Sequence, residues 1–396
     1  MISKLSLKHL ALAVVYVFFL SMGVKADDSF IVPVCNQGFN LSHSGVQGMD
    51  TWGDYLVSLQ NYGTCNIYRI NSLNSATKLK TFRLASYNNA SDTYNHANVA
   101  SFSNQFYDPA DKLPLLYITR CHAYTDEDGM KSVCYVERLD IDNGSSSLVQ
   151  KICYDDPGYG VNIWVIDRQN NFLYSHSNTT GAGKLGNQHL IRKFNIPEVG
   201  EGKPEKVWLH DSDAIESYSF EDTYTGGMNA VTQGAGILNG LLYMPCGYDT
   251  PDEPSILYVW DLEKRKMDKE LNMTGIFAGE FEDCSVNYPG YLVLQANSNH
   301  IYFMSLEEKA GDWESLIFYD GITYRITDRE NKTAELVGYV KIGNSINIPS
   351  YVPDGNVFYK VTSIAANAFM DCSSITTITL PSTLTSIGVD AFRNCY

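Results

Sequence analysis

The sequence predicts an all-β protein: a ring of small antiparallel sheets, then a β-rich lead-in, then a short solenoid of stacked coils. Three observations carry that reading. Between Asp54 and Leu306, strand-length apolar runs come in pairs five times, each pair preceded by a shorter run and a polar turn. Nothing in that region keeps a helical apolar period. The end of the chain repeats itself, Thr362-Ser363-Ile364 returning as Thr385-Ser386-Ile387, Ala368-Phe369 as Ala391-Phe392 and Cys372 as Cys395, each 23 residues on.

At the N-terminus, Lys4 and Lys8 precede an apolar run from Leu10 to Leu20, and Val24-Lys25-Ala26 offers small residues where a signal peptidase reads. Residues 1–26 therefore read as a cleaved secretory signal peptide. The run is short for a bilayer span, and no later segment approaches about 18 consecutive apolar residues. A secreted or cell-surface location follows, with no transmembrane segment in the mature chain. The chain has 396 residues and a formal net charge of −16, and loss of Lys4, Lys8 and Lys25 with the leader makes it more acidic still. That excludes nucleic acid and anionic membrane surfaces as partners.

Residues 27–312 form the ring. The paired runs begin at Tyr55, Leu115, Phe172, Leu241 and Tyr291. Ahead of each lies a shorter run: Gly45–Gly53, His96–Ser103, Gly158–Asp167, Asn229–Leu238 and Glu280–Tyr288. Polar turns separate them, including Gly53-Asp54, Asn239-Gly240 and Pro289-Gly290. Inner strand, turn, strand, hairpin, strand is the layout of one propeller blade, and radial repetition leaves few exposed sheet edges. The expectation is a five-bladed β-propeller.

Residues 313–360 are the lead-in and 361–396 the coils. Ile375, Ile378 and Leu380 alternate as a strand would, Pro381 ends it, and Ala365–Met370 forms the helical or turn side with Phe369 pointing inward. A coil of this length buries its apolar residues only against the next coil. Nine cysteines are an odd number, and no pair has CxxC spacing. Cys372 and Cys395, at equivalent repeat positions, read as stacked buried thiols.

The pattern "TSIxxxAFxxC…ITTITLPSTLTSI" closely resembles the BspA-like leucine-rich repeats of surface and secreted proteins, especially of gut and oral bacteria. Phe318–Ile364 resembles the β-rich segment that often precedes them. The resemblance implies a leucine-rich-repeat solenoid fragment on a bacterial surface protein, with adhesion to host proteins or other cells as its role. The last coil has no capping coil after Cys395-Tyr396, so the chain is expected to be truncated there or to dock its open edge on a partner.

Function in a propeller is sought where the loops into the inner strands converge. Those loops carry His43 and Gln47, His96 with Asn98, Tyr159 and Asn162, Asn229 with Gln233, and Glu280 with Glu282 and Asp283. His43, Gln47, His96, Asn162, Gln233, Glu280 and Asp283 are the expected ligand-binding residues, a polar set suited to sugar hydroxyls or peptide amides. The partner expected is a glycan or a host or cell-surface protein. The alternative is a propeller-type glycoside hydrolase, which needs two carboxylates with separated pKa values. Asp50, Asp167, Glu216, Glu280 and Asp283 are its candidates. No Ser-His-Asp order, HExxH, nucleophile elbow or phosphate-cradling Gly-rich loop accompanies them, and the histidines at 43, 96, 122, 176 and 189, read as loop residues, have no metal-ligand spacing. No catalytic residue, cofactor or metal is therefore expected.

Overall fold

The computed structural model describes residues 29–87, 96–120, 129–130, 132–154, 162–178, 188–221, 233–250, 255–273, 279–308, 316–319, 322–339, 345–354, 357–366, 368–369, 375–393 and 395. Residues 1–26, the expected signal peptide, lie outside them. Strands dominate, and no α-helix occurs among the described residues.

The first strand, β1 (Ser29–Asn40), waits for a partner far away in sequence. The first sheet is β2 (Val46–Trp52), β3 (Tyr55–Gln60), β4 (Thr64–Ser72) and β5 (Ser75–Arg83), in that spatial order. The second is β6 (Val99–Phe102), β7 (Leu116–Thr119), β8 (Ser132–Asp140) and β9 (Ser145–Tyr154). The third is β10 (Ile163–Asp167), β11 (Phe172–Asn178) and β12 (Gln188–Asn195), then, past β13 (Lys206–Leu209), β14 (Glu216–Glu221). Strand β13 leaves this sheet and adds in parallel to β9.

The fourth sheet is β15 (Gly236–Leu238), β16 (Leu241–Cys246), β17 (Ile256–Asp261) and β18 (Lys266–Asn272). The fifth is β19 (Phe281–Tyr288), β20 (Tyr291–Ala296) and β21 (His300–Glu308), completed by β1 pairing antiparallel to β21. Each inner strand, β2, β6, β10, β15 and β19, abuts the next, and β19 returns to β2. That closed cycle makes the ring a β-propeller, with its first strand locked into its last sheet.

Local chemistry explains the sheets. The β15–β16 connection is Asn239-Gly240 with φ of 52° and 73°, the left-handed pair that matches strand twist in a two-residue hairpin. Alternate residues bury on the two faces, so the core lies between successive sheets. Val57 and Ile67 of the first meet Val133 and Tyr135 of the second. Tyr117 and Cys134 meet Trp164 and Phe194, and Met49 and Tyr68 meet Val293 and Phe303 where the ring closes. Among the described residues, Cys65, Cys134, Cys153, Cys246 and Cys284 are buried and Cys395 is half-buried.

After the propeller come β22 (Leu316–Tyr319), β23 (Ile322–Asp328), β24 (Thr333–Tyr339), β25 (Ser345–Asn347), β26 (Tyr351–Asp354), β27 (Val357–Ile364), β28 (Thr377–Thr379) and β29 (Ser386–Ile387). Pairing turns parallel here, with β24 beside β27, β27 beside β29 and β25 beside β28, as stacked coils require. The 23-residue repeat is realised bond by bond: the Thr385 N–H donates to the Thr362 carbonyl at 2.7 Å. Phe369 is buried and stacks on Phe392 at 5.1 Å and 4°. Gly388 permits the approach, since a Cβ there would lie 2.3 Å from Ala366 N.

One expectation for the coil changes. Leu380 is 45% exposed, because β28 is only three residues long and Ile375 and Ile378 alone turn inward. Of the two forms expected for the Ala365–Met370 side, the described part is turn. Cys395 Sγ donates to the Phe369 carbonyl at 2.7 Å, while Cys372 lies outside the described residues.

Candidate functional site

The inner strands meet around a buried carboxylate, Asp283. Asp283 Oδ2 accepts the N–H of Met49 at 2.7 Å and of Ala100 at 3.0 Å. Its Oδ1 accepts the N–H of Ala235 at 3.1 Å and of Cys284 at 2.8 Å. Strands β2, β6 and β19 and the residue before β15 are thus tied to one side chain. Gly234 makes room, for a Cβ there would stand 2.3 Å from Asp283 Oδ1. Burial pushes the Asp283 carboxyl well above the usual carboxylate range, and the four N–H donors pull it back. Each of its oxygens accepts two backbone N–H groups.

This corrects the expected role of Asp283: it is fully buried and holds the ring together, so it cannot face a ligand. Asp50 does the same one layer further down β2. It accepts the Phe102 N–H at 2.7 Å and the Ser285 hydroxyl at 2.6 Å, and pairs with Arg168, which lies over Trp52. Asp167 at the end of β10 caps the Gln169–Asn170 turn, and Glu216 pairs with Arg265 on the outside. Those acids do not converge on one point.

Above Asp283, at the end where the chain enters the inner strands, polar side chains do converge. Asn98 Nδ2 donates to Gln233 Oε1 at 3.2 Å, and Gln233 Nε2 donates to Glu280 Oε1, linking three sheets. Gln295 Nε2 donates to the Gln47 carbonyl at 2.6 Å, and Ser58 Oγ to Gln295 Oε1 at 2.5 Å. His43 reaches that chain from outside, with Nε2 3.1 Å from Ser58 Oγ and Nδ1 2.9 Å from Tyr68 Oη. Burial first, then Lys78, lowers the His43 imidazole to about 4, so it is neutral. His96 is half-buried just ahead of β6.

Asn162 belongs to a neighbouring cluster on the same end. Its Oδ1 accepts from Arg192 Nη1 at 3.2 Å, and Arg192 also bonds Ser177 and Asp211 and lies 4.6 Å over the Tyr154 ring. His176 and His189 are strand residues, not loop residues. They are buried on β11 and β12 with ring nitrogens 2.9 Å apart, and burial holds His176 neutral. Gln47 Oε1, Asn98 Oδ1 and Asn162 Nδ2 are buried with no hydrogen-bond partner among the described residues, an uncommon condition for polar atoms.

Glu282 occupies a bulge on β19 between Phe281 and Asp283. Burial and then the nearby Glu280 push its carboxyl up to about 9. Arg192 and Gln295 were not foreseen as site residues; their only signal is a long polar side chain inside an otherwise apolar strand run. Tyr159, Asn229 and His122 lie outside the described residues. No group of three His, Cys, Asp or Glu is placed to hold a metal among the described residues. No described helix is long and apolar enough to cross a membrane.

Residues 345–396 match the family model described as "BspA type Leucine rich repeat region (6 copies)". The C-terminal coils are similar to BspA-type repeats. Among solved structures, a leucine rich cell surface protein from Faecalibacterium prausnitzii is 29% identical over 22% of this chain and 22% of its own, with a TM-score of 0.20. A leucine-rich repeat protein from Bacteroides ovatus is 38% identical over 20% and 21%, with a TM-score of 0.19. The chain thus spans about a fifth of either protein. The β-propeller domain of Cps50 (Swd1) from Myceliophteria thermophila is 11% identical over 66% of this chain and 83% of its own, with a TM-score of 0.33. No curated protein matches the chain. The propeller assignment rests on the strand order itself, and the BspA-type assignment on the repeat.

Proposed function

We propose that this is an exported surface protein that binds without turnover, presenting a propeller face on one side and BspA-type coils on the other. The propeller face is the end that carries Gln47, Asn98, Asn162, Gln233 and Glu280, and its ligand is a glycan. The observation that carries this reading is a set of neutral amide side chains at the entry ends of four inner strands, Asn98 and Gln233 bonded to one another, and Gln47, Asn98 and Asn162 each with a buried polar atom that has no partner among the described residues. Amides offer a donor and an acceptor side by side, which suits vicinal hydroxyls. The coils supply a second, adhesive surface.

The test is a glycan and host-protein array probed with the full chain. Gln47→Ala with Gln233→Ala should weaken capture of the glycan it selects by about 1–3 kcal/mol, the cost of buried partners left unpaired. Capture unchanged in the double variant would remove this face from the reading. Capture of a protein and of no glycan would replace the ligand class.

One observation favours hydrolysis as a second reading. Glu282 is a carboxyl held protonated near neutral pH beside a second carboxyl, Glu280, the asymmetry an acid–base pair needs. Polysaccharide cleavage lost in both Glu282→Gln and Glu280→Gln, with binding retained, would establish it.

A further inference from the structure

The opposite end of the propeller holds a cavity of about 340 Å³ where the first and last sheets meet. It is lined by Gly53, Asp54, Leu73, Tyr288, Pro289 and Tyr291. Gly53-Asp54 is the β2–β3 turn, Leu73 lies between β4 and β5, and Pro289 belongs to the β19–β20 hairpin. Tyr288 and Tyr291 are cross-strand partners at the end of that hairpin, their rings 6.1 Å apart. Both rest edge-on against buried Phe303, at 5.4 Å and 63° and at 5.9 Å and 88°. That support fixes the two phenol rings side by side as one apolar wall.

The polar side is built from Asp54. Its Oδ2 lies 3.0 Å from Arg69 Nε, and Arg69 is itself fixed by donating Nη2–H to Tyr55 Oη at 3.0 Å and lying 5.2 Å over the Tyr55 ring. Asp54 Oδ1 takes no protein donor among the described residues. The cavity therefore combines an apolar wall of two tyrosine rings with the Asp54 carboxylate, one oxygen of which is paired with Arg69.

We propose that this cavity is a second binding site, taking a single pyranose unit of a glycan. A pyranose has a C–H face that fits an aromatic wall and a rim of hydroxyls that donate to a carboxylate. The volume is at the small end for ligand sites, which limits the occupant to about one ring. A ligand cation gains little here, because Arg69 already neutralises Asp54. The inference is independent of the reading of the amide-lined end, since the two sites share no residue.

The experiment is saturation-transfer NMR on the full chain with the methyl glycosides of glucose, galactose, mannose and N-acetylglucosamine at millimolar concentration. Transfer to at least one of them is expected, with affinity at least fivefold weaker in both Tyr291→Ala and Asp54→Asn. Asp54 is exposed and its substitution leaves the ring packing intact, so it decides the matter if Tyr291→Ala does not fold. Absence of transfer from every glycoside, or affinity equal to wild type in Asp54→Asn, overturns the proposal. So does transfer from choline chloride with none from the glycosides.

Discussion

The carboxylate of Asp283, on the inner strand of the last sheet, accepts the Met49 amide of the first sheet at 2.7 Å. The ring is thereby closed at its centre by a side chain, as it is closed at its rim by β1. With Ala100 and Ala235 bound to the same carboxylate, four sheets depend on two oxygen atoms. An acid in this position is a structural group in a protein already rich in acids.

Asp283→Asn should therefore act on stability. The amide nitrogen must replace one oxygen, where it faces two N–H donors that then have no acceptor. The expected cost is about 3–5 kcal/mol, typical of breaking a buried charged network. Urea unfolding followed by tryptophan fluorescence measures it, since Trp52, Trp164, Trp208 and Trp260 all lie in the propeller. A midpoint within error of wild type would show that the hub is held by packing alone.

Glu282 gives stability a pH dependence of known sign. Its carboxyl is raised from 4.5 to about 9 in the folded chain, so the folded state binds the proton more tightly than the unfolded one. The stability this contributes is complete below about 4.5 and is lost as pH rises towards about 9. For one group the slope is at most about 1.4 kcal/mol per pH unit. Glu282→Gln should remove that slope in a series of urea midpoints across the window. Parallel slopes for variant and wild type would place the titration elsewhere.

Much of the ring was legible because its signals are local. Tyr55, Phe172, Leu241 and Tyr291 each begin a second strand as read, and Leu115 stands one residue before β7. Asn239-Gly240 and Pro289-Gly290 fall at turns because only such residues accept those backbone angles. Strand β1 was not legible as a partner of β21, since Pro33 and Gly38 interrupt it and its partner lies more than 250 residues away. Strand β13 joins the sheet before its own for reasons no local pattern encodes. Asp283 and Gln233 both sit where the chain enters an inner strand, and only the packing of sheets around the axis separates a hub residue from a surface-facing one.

The non-local closure by β1 has its own test. Deleting residues 27–40 leaves β21 an open edge, a template for pairing with another chain. The shortened protein is expected to elute as oligomers in size-exclusion chromatography where the full chain elutes as a smaller species. An unchanged elution volume and melting temperature would mean that β1 is dispensable and the hub suffices.

The coils are the part whose damage should stay local. Phe369 is fully buried, stacks on Phe392 and lends its carbonyl to Cys395, so Phe369→Ala should open a cavity costing about 3–5 kcal/mol. Stacked coils are held by their neighbours, so the loss should reach β27 and β29 and fade towards the propeller. We expect residues 27–312 and 313–396 to be separable, although β1 packs beside β24. Amide exchange read by mass spectrometry should show faster exchange across 345–396 in the variant and unchanged protection in the propeller. All of the tryptophans lie before residue 345, so fluorescence-monitored unfolding should report the same midpoint for variant and wild type. A midpoint that falls with the variant would make the β1–β24 contact a strong coupling and the chain a single cooperative unit.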